Sequence, residues 1–100
     1  MKERLGRLKK EIVPLLRKRG VIKAGIFGSY ARGEQTRKSD MDILIKFRGR
    51  KSLLDIVKLK HEIENKVKKK VDLLTYRSIH PLLKKDILKD EIRIIHEKRH

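Results

Sequence analysis

Two aspartates stand one residue apart at the start of an apolar run. Asp40 and Asp42 open the stretch DMDILIKF, although Lys and Arg outnumber Asp and Glu by 29 to 13 in the whole chain. In a β-strand, side chains at positions i and i+2 point to the same face, so these two carboxylates would lie side by side and repel each other. Mg²⁺ accepts one or two carboxylates and completes its shell with phosphate oxygens and water. The pair therefore predicts a magnesium site for a phosphate-bearing substrate.

A Gly-Ser pair precedes these aspartates, and a third aspartate follows them. Gly28 would let the backbone approach a phosphate closely, and the hydroxyl of Ser29 and the N–H groups after it could donate to that phosphate. Asp72 could bridge a second metal or take a proton from an attacking hydroxyl. Each feature alone has a structural reading, because Gly-Ser is usually a turn and isolated acids often cap strands or pair with lysines. Their succession on three neighbouring segments favours a shared catalytic site.

The periodicity of the apolar residues predicts the elements that position these side chains. Apolar residues at helical spacing indicate a first helix that stops at Gly20, and Pro14 should kink it or divide it. Ser52 and Ser78 are predicted to cap the starts of two further helices. Strands are predicted over residues 21–27, 41–47, 71–75 and 92–95. The fold class is therefore α/β (α+β), a small mixed sheet of about four strands with helices packed on one face.

The order of these elements also predicts where the candidate residues meet. The first three strands would bring Ser29, the pair Asp40 and Asp42, and Asp72 toward one edge of the sheet. Residues 34–38 between the first two strands are polar and are predicted to form a loop. We therefore expect an open site at the strand ends.

Length and composition limit what the chain can be. Its 100 residues suit a single domain over residues 1–100 with one core, so a large acceptor must be held by a partner. The net charge of +16 would attract nucleic acid, nucleotides or an acidic protein face. The chain has no cysteine, and its first apolar run, residues 12–16, is too short for a signal peptide or a membrane span. We therefore expect a cytoplasmic protein with no membrane partner.

The complete motif resembles that of a known family. Gly28-Ser29, ten intervening residues and Asp40-x-Asp42 are similar to the signature of the polymerase-β-like nucleotidyltransferase superfamily. The fuller strings FGSYARG and SDMDIL look like its minimal members, the MNT domains, which include the MntA-type antitoxins of HEPN/MNT toxin–antitoxin pairs. The resemblance covers nearly the whole chain, since Asp72 falls where the family's third carboxylate strand lies.

This resemblance implies two-metal nucleotidyl transfer, with ATP as the substrate and two Mg²⁺ ions as cofactors. The implied metal ligands and catalytic residues are Asp40, Asp42 and Asp72. The implied nucleotide contacts are Gly28, Ser29, Arg32 and Ser39. In this scheme Gly28 and Ser29 hold the terminal phosphates, and Asp72 completes the metal site and assists the nucleophile.

The resemblance also implies a partner. Stand-alone MNT proteins are commonly antitoxins encoded beside a helical HEPN toxin, a ribonuclease, and some transfer AMP to a toxin tyrosine. The chain is thus expected to be a protein adenylyltransferase with a HEPN partner. One alternative is an inert antitoxin that neutralises HEPN by binding, which the presence of all three carboxylates disfavours. A third, a nucleic-acid-binding protein, rests on charge alone, because aromatic residues are few for stacking bases.

A second motif stands at the end of the chain. Residues 96–100 read HEKRH, which matches the zinc-protease pattern H-E-x-x-H. It follows a predicted strand at the terminus, where a frayed end cannot hold two imidazoles in place and no later residue can supply a third ligand. We expect no zinc site there.

Overall fold

The computed structural model describes residues 2–34 and 40–97, and the side chains from residue 5 onward within those ranges. Four helices and four strands alternate along the described chain. In order they are α1 (Lys2–Lys18), β1 (Val21–Phe27), α2 (Ser29–Arg32), β2 (Met41–Phe47), α3 (Leu53–Val67), β3 (Val71–Thr75), α4 (Pro81–Asp90) and β4 (Ile92–Ile95). A 3₁₀ turn, Tyr76–Ser78, links β3 to α4.

The strands form one mixed sheet in the order β3-β2-β1-β4. β1 is antiparallel to both of its neighbours, β2 and β4, whereas β2 and β3 run parallel. Two parallel neighbours need a crossover connection, and α3 supplies it. The predicted fold class, a small mixed sheet with helices, is confirmed.

The core lies between this sheet and the helices α1 and α3. Alternate residues of the strands point to the helices, because successive side chains in a strand face opposite ways. The buried strand residues include Ala24, Ile26, Met41, Ile43, Ile45 and Val71, and the helices contribute Leu8, Ile12, Leu16, Leu59 and Ile63. The described residues of α4 add no side chain to this core, whereas the short helix α2 adds Tyr30.

The helix α1 continues through the exposed Pro14 and is not divided there, so the kink stays a prediction. One local expectation was wrong. Ser78 does not cap α4. His80 does, since its Nδ1 accepts a hydrogen bond from the backbone N–H of Leu82 at 3.1 Å.

The capping of α3 agrees with the sequence. Ser52 is its N-cap and accepts a hydrogen bond from the backbone N–H of Asp55 at 3.2 Å, while the Asp55 carboxylate accepts one from the backbone N–H of Ser52 at 2.9 Å. This reciprocal pair is a capping box.

None of the described helices is long and apolar enough to span a bilayer.

Candidate active site

The register of β2 and β3 places two aspartates side by side. Asp42 lies between Met41 and Ile43, which are both buried against the helices, so its side chain projects from the opposite face of the sheet. In the parallel pairing Asp42 stands directly beside Asp72. Neighbouring strands are about 4.8 Å apart, so two side chains at paired positions on one face are in reach of each other. Burial and, at this separation, the charge of the Asp72 carboxylate raise the pKa of Asp42.

Glu64 helps to fix this register. Its side chain, on α3, accepts a hydrogen bond from the backbone N–H of Val71 at 2.9 Å. The backbone N–H of Met41 also donates to the carbonyl of Lys70 at 3.0 Å. Both contacts hold the first residue of β3 level with the first residue of β2. The next residues in each strand are Asp42 and Asp72, so these contacts align the two carboxylates.

Gly28 closes the site from the side of β1. It has φ +72° and ψ −149°, a conformation that is accessible only to glycine. A Cβ at this position would collide with the Oδ2 atom of Asp42 and lie 3.1 Å from its Cγ atom. Phe27, the preceding residue, pairs with Asp42 across the two strands. The glycine of the Gly-Ser motif is therefore required both by its backbone angles and by the space that the Asp42 carboxylate occupies.

Burial and neighbouring charges raise the pKa of Asp42 to about 6. The largest cause is the burial of its carboxyl group, followed by the charge of Asp72, the hydrogen bond with Asp72, and the charge of Asp40. The guanidinium group of Arg32 acts in the opposite sense and lowers this pKa. The site thus concentrates negative charge on a partly buried carboxyl group without neutralising it.

Arg32 lies at the end of α2, close enough to influence Asp42 by its charge. Its Nε atom is 3.2 Å from Oε2 of Glu34, and its NH1 atom is 3.7 Å from Oδ2 of Asp90 at the end of α4. These contacts restrain an exposed guanidinium group near the carboxylates. No sequence signal pointed to Asp90, because it lies far from Arg32 along the chain.

The remaining predicted residues differ in what the structure says of them. Asp40 is exposed just before β2 and affects Asp42 through its charge. Ser29 follows Gly28 as the first residue of α2 and is half-buried. Ser39 lies outside the described residues. The sequence suggested Asp40 and Asp42 as the close pair, whereas the carboxylate that acts most strongly on Asp42 is Asp72.

The donor set fits a hard divalent cation in part. Within residues 2–34 and 40–97, no three His, Cys, Asp or Glu side chains converge closely enough to hold a metal ion. Two carboxylates do meet, however, at Asp42 and Asp72, and burial together with the charge of Asp72 raises the pKa of Asp42 although the charge of Arg32 lowers it. Mg²⁺ is commonly held by one or two carboxylates together with water and substrate phosphates. The pair fits such an ion, and ligation by all three would require Asp40 to turn toward it.

Sequence reasoning also missed a residue inside the motif. Tyr30 is 3% exposed and packs in the core beneath α2. The Nζ atom of Lys69 lies 5.6 Å from the centre of its ring. Its aromatic side chain next to Gly28-Ser29 was a usable signal, since a large apolar residue in a four-residue helix can anchor that helix to the sheet.

The family model described as Polymerase beta, Nucleotidyltransferase matches residues 10–100. The chain belongs to this nucleotidyltransferase family. Its members are enzymes of nucleotidyl transfer, and the recognition made from the Gly-Ser and Asp-x-Asp motifs is confirmed.

Relatives within this nucleotidyltransferase family are similar over most of their length. A Methanocaldococcus jannaschii protein, provisionally named a protein adenylyltransferase, is 53% identical over 91 residues, which are 91% of this chain and 98% of the relative. The protein adenylyltransferase MntA of Thermococcus cleftensis is 38% identical over 75 residues, 75% of this chain and 76% of the relative. The family likeness therefore extends well beyond the motif.

A solved structure shares the nucleotidyltransferase fold. It is that of a tri-AMPylated Shewanella oneidensis HEPN toxin in complex with an MNT antitoxin, and the match has a TM-score of 0.71 at 20% identity over 89% of this chain and 70% of the matched chain. At that identity the match supports the fold of the sheet and helices described above.

Proposed function

We propose that the protein transfers AMP from ATP to a tyrosine hydroxyl of a HEPN ribonuclease toxin and thereby acts as its antitoxin. The observation that carries this proposal is the meeting of the Asp42 and Asp72 carboxylates against Gly28, on the face of the sheet opposite the helices. The relatives named protein adenylyltransferases support AMP as the transferred group. The solved complex of an AMPylated HEPN toxin with an MNT antitoxin supports the class of acceptor.

The chemistry of this transfer is a displacement at the α-phosphorus of ATP. The acceptor hydroxyl oxygen forms a bond to the α-phosphorus, the bond from that phosphorus to the bridging oxygen of the β-phosphate breaks, and pyrophosphate leaves. The hydroxyl proton passes to a carboxylate, for which we assign Asp72, because it is exposed at the site while Asp42 is half-buried. Mg²⁺, held by Asp40, Asp42 and Asp72, would neutralise charge on the phosphates and orient them.

Other residues of the site would bind and orient ATP. Gly28 allows the close approach of a phosphate, and Ser29 offers a hydroxyl donor beside it. Arg32 supplies a positive charge near Asp42, and its contact with Asp90 would keep that charge at the phosphates rather than in solvent. Ser39, which belongs to the same motif, is assigned as a further phosphate contact.

The acceptor would dock near the helix α4. Leu82 and Leu83 at its start are 82% and 55% exposed, and Asp90 at its end contacts Arg32 in the site. Exposure of adjacent leucines to water is unfavourable in free energy, and such patches are typical of contact surfaces. Leu82 and Asp90 are about 12 Å apart along the helix at its usual rise per residue, so a toxin must cover the whole length of α4 to reach from the leucines to Arg32 and the carboxylates.

Intact-mass spectrometry of the toxin tests the proposal. The proposed HEPN partner is coexpressed with wild type, with Asp72→Asn, or with the control Glu11→Gln, an acid of α1 on the helix-covered side of the sheet. Asparagine retains the size of the side chain but cannot accept the proton. We expect an increase of one or more AMP units with wild type and with the control, and none with Asp72→Asn.

Two results would contradict the proposal in different ways. A toxin that stays unmodified but is still neutralised would favour the inert antitoxin that acts by binding. A toxin that gains AMP with Asp72→Asn as readily as with wild type would preserve the reaction and remove Asp72 from its catalytic role. Mapping the modified residue by fragmentation then checks that the acceptor is a tyrosine.

A further inference from the structure

A second cavity lies at the opposite end of the sheet from the aspartates. It has a volume of about 990 Å³ and is bordered by the last residues of β2, including Phe47, and by the turn after β3, including Tyr76. The lining residues of β2 run from Ile45 to Phe47, three to five residues beyond Asp42, which corresponds to roughly 10–16 Å at the rise of an extended strand. This basic cavity is therefore separate from the carboxylate site.

Positive charge is concentrated around the basic cavity. Six of its twelve lining residues are Lys or Arg and none is acidic, in a chain where 29 of 100 residues are basic. Of these six, Lys46 is paired with Glu97 at 2.8 Å, whereas Arg50, Arg77 and Lys84 have no ion pair within the described residues. The six are Lys23, Lys46, Arg50, Lys51, Arg77 and Lys84. What distinguishes the cavity is that these cations border a concave surface with no acidic residue in its lining.

The wall of the basic cavity contains two of the four aromatic residues of the chain, Phe47 and Tyr76. Tyr76 is held in place because its hydroxyl donates to Glu91, whose side chain is 5% exposed and paired with Arg93 at 2.8 Å. The Nζ atom of Lys23 lies 4.4 Å from the centre of the Tyr76 ring. The Cζ atom of Arg93 lies 5.7 Å from the same centre, so a base that packs on this ring must displace one of these two cations.

We propose that the basic cavity binds a phosphate-bearing nucleoside, as a short single strand of nucleic acid or as a free nucleotide. Aromatic rings beside a row of cations suit this chemistry, because bases pack on the rings while phosphates meet the Lys and Arg side chains. The volume lies near the upper end of roughly 300–1,000 Å³ for small-ligand sites. This site goes beyond the proposed AMP transfer and does not depend on it.

Fluorescence anisotropy with a labelled single-stranded oligoribonucleotide tests the cavity. The buffer contains EDTA, so metal-dependent binding at Asp42 does not contribute. The full chain is compared with Arg50→Glu/Lys84→Glu and with the control Arg48→Glu/Lys85→Glu. The control residues are exposed sequence neighbours outside the cavity, and both double variants change the net charge equally.

The cavity variant should lose affinity for the oligoribonucleotide by roughly tenfold or more. The slope of log affinity against log salt concentration should also become shallower by an amount that corresponds to about two lost phosphate contacts. The control should keep the wild-type salt dependence and lose no more than about threefold, from the weaker overall field. Equal losses in both variants would overturn the proposal, because binding would then follow the diffuse charge of the surface.

Competition identifies the source and the class of the ligand. Displacement of the probe by AMP or ATP in EDTA would assign the cavity to free nucleotides, and displacement by unlabelled strands alone would assign it to nucleic acid; either result supports the proposal. Inorganic polyphosphate or poly-glutamate competing as well as an oligonucleotide of equal charge would overturn it, because the aromatic wall would then contribute nothing.

Discussion

The pKa of Asp42 reports how much free energy is needed to bring the carboxylates of the candidate site together. Its pKa is raised to about 6 from 3.8, first by burial and then by Asp72 and Asp40. The folded protein therefore binds a proton at Asp42 more tightly than the unfolded chain does. The stability that this proton contributes is complete below about pH 3.8 and is lost as the pH rises through about 6.

We expect Asp42→Asn to be more stable than wild type above pH 6 in the absence of metal. The full shift corresponds to about 3 kcal/mol at about 1.4 kcal/mol per pH unit, and solvent screening of a half-buried group reduces this to roughly 1 kcal/mol. Urea unfolding in EDTA at pH 8 and pH 4 measures the difference, which should disappear at the lower pH. A variant less stable than wild type at pH 8 would show that ionised Asp42 is not strained by its neighbours.

Gly28→Ala should disrupt the site by displacing the Asp42 carboxylate. The added Cβ would meet that carboxylate and also force alanine into a backbone region that costs on the order of 1–3 kcal/mol. Gly49→Ala is the matched control, since Gly49 also has a positive φ of +77° but open space where the Cβ would be. Both variants should melt earlier than wild type.

Ligand stabilisation separates these two variants. Addition of Mg²⁺ and ATP should raise the melting temperature of wild type and of Gly49→Ala, while Gly28→Ala should gain little, because its carboxylates are displaced. An equal gain in both variants would remove Gly28 from the nucleotide site and leave it a purely structural glycine.

At the scale of elements, the sequence predicted the strands better than the contacts between them. The apolar runs that became β1 to β4 were recognisable because their alternation is local. The sequence predicted that Asp72 would lie at the same edge of the sheet as Asp42. It did not predict their direct pairing, because that depends on the α3 crossover and the parallel register of β2 with β3. Helix starts were predictable at Ser52, where the hydroxyl is followed by a carboxylate at the third position, and not at His80, whose ring replaces the expected serine.

Ser52→Ala should lower the free energy of unfolding by about 1 kcal/mol, the usual value of an N-cap hydroxyl. Ser78→Ala is the informative comparison, since Ser78 donates only to the carbonyl of Thr75 in an exposed turn and should cost less. Urea unfolding measures both. A larger loss at Ser78 would restore the sequence-based prediction that this residue caps α4.

At the scale of the whole molecule, repulsion among like charges opposes folding. The net charge is +16, while most ion pairs of the described residues, such as Lys46 with Glu97 at 2.8 Å, lie on an exposed surface where each contributes about 0–1 kcal/mol. Compact folding brings the unpaired cations closer together than in the unfolded chain. The net charge could be counted from the sequence, but which of the basic residues line the basic cavity could be seen only in the folded structure.

Potassium chloride should therefore stabilise the protein. Raising its concentration from about 0.05 to 0.5 M shortens the screening length to a few ångströms and weakens long-range repulsion more than close ion pairs. The melting temperature should rise across this range in the absence of nucleotide. A fall would mean that the surface ion pairs outweigh the repulsion.

The pairing of β3 with β2 also makes the site sensitive to chain length. If β3 slipped by one residue, Asp72 would point into the core and an apolar side chain would take its place beside Asp42, because strand faces alternate with a period of two. A shift of a single residue would thus remove the acid from the site and bury it at once, with no intermediate geometry. The hydrogen bond from the backbone N–H of Val71 to the Glu64 side chain opposes that shift. The number of residues between Glu64 and Asp72 therefore matters to the site as much as the Asp72 carboxylate itself.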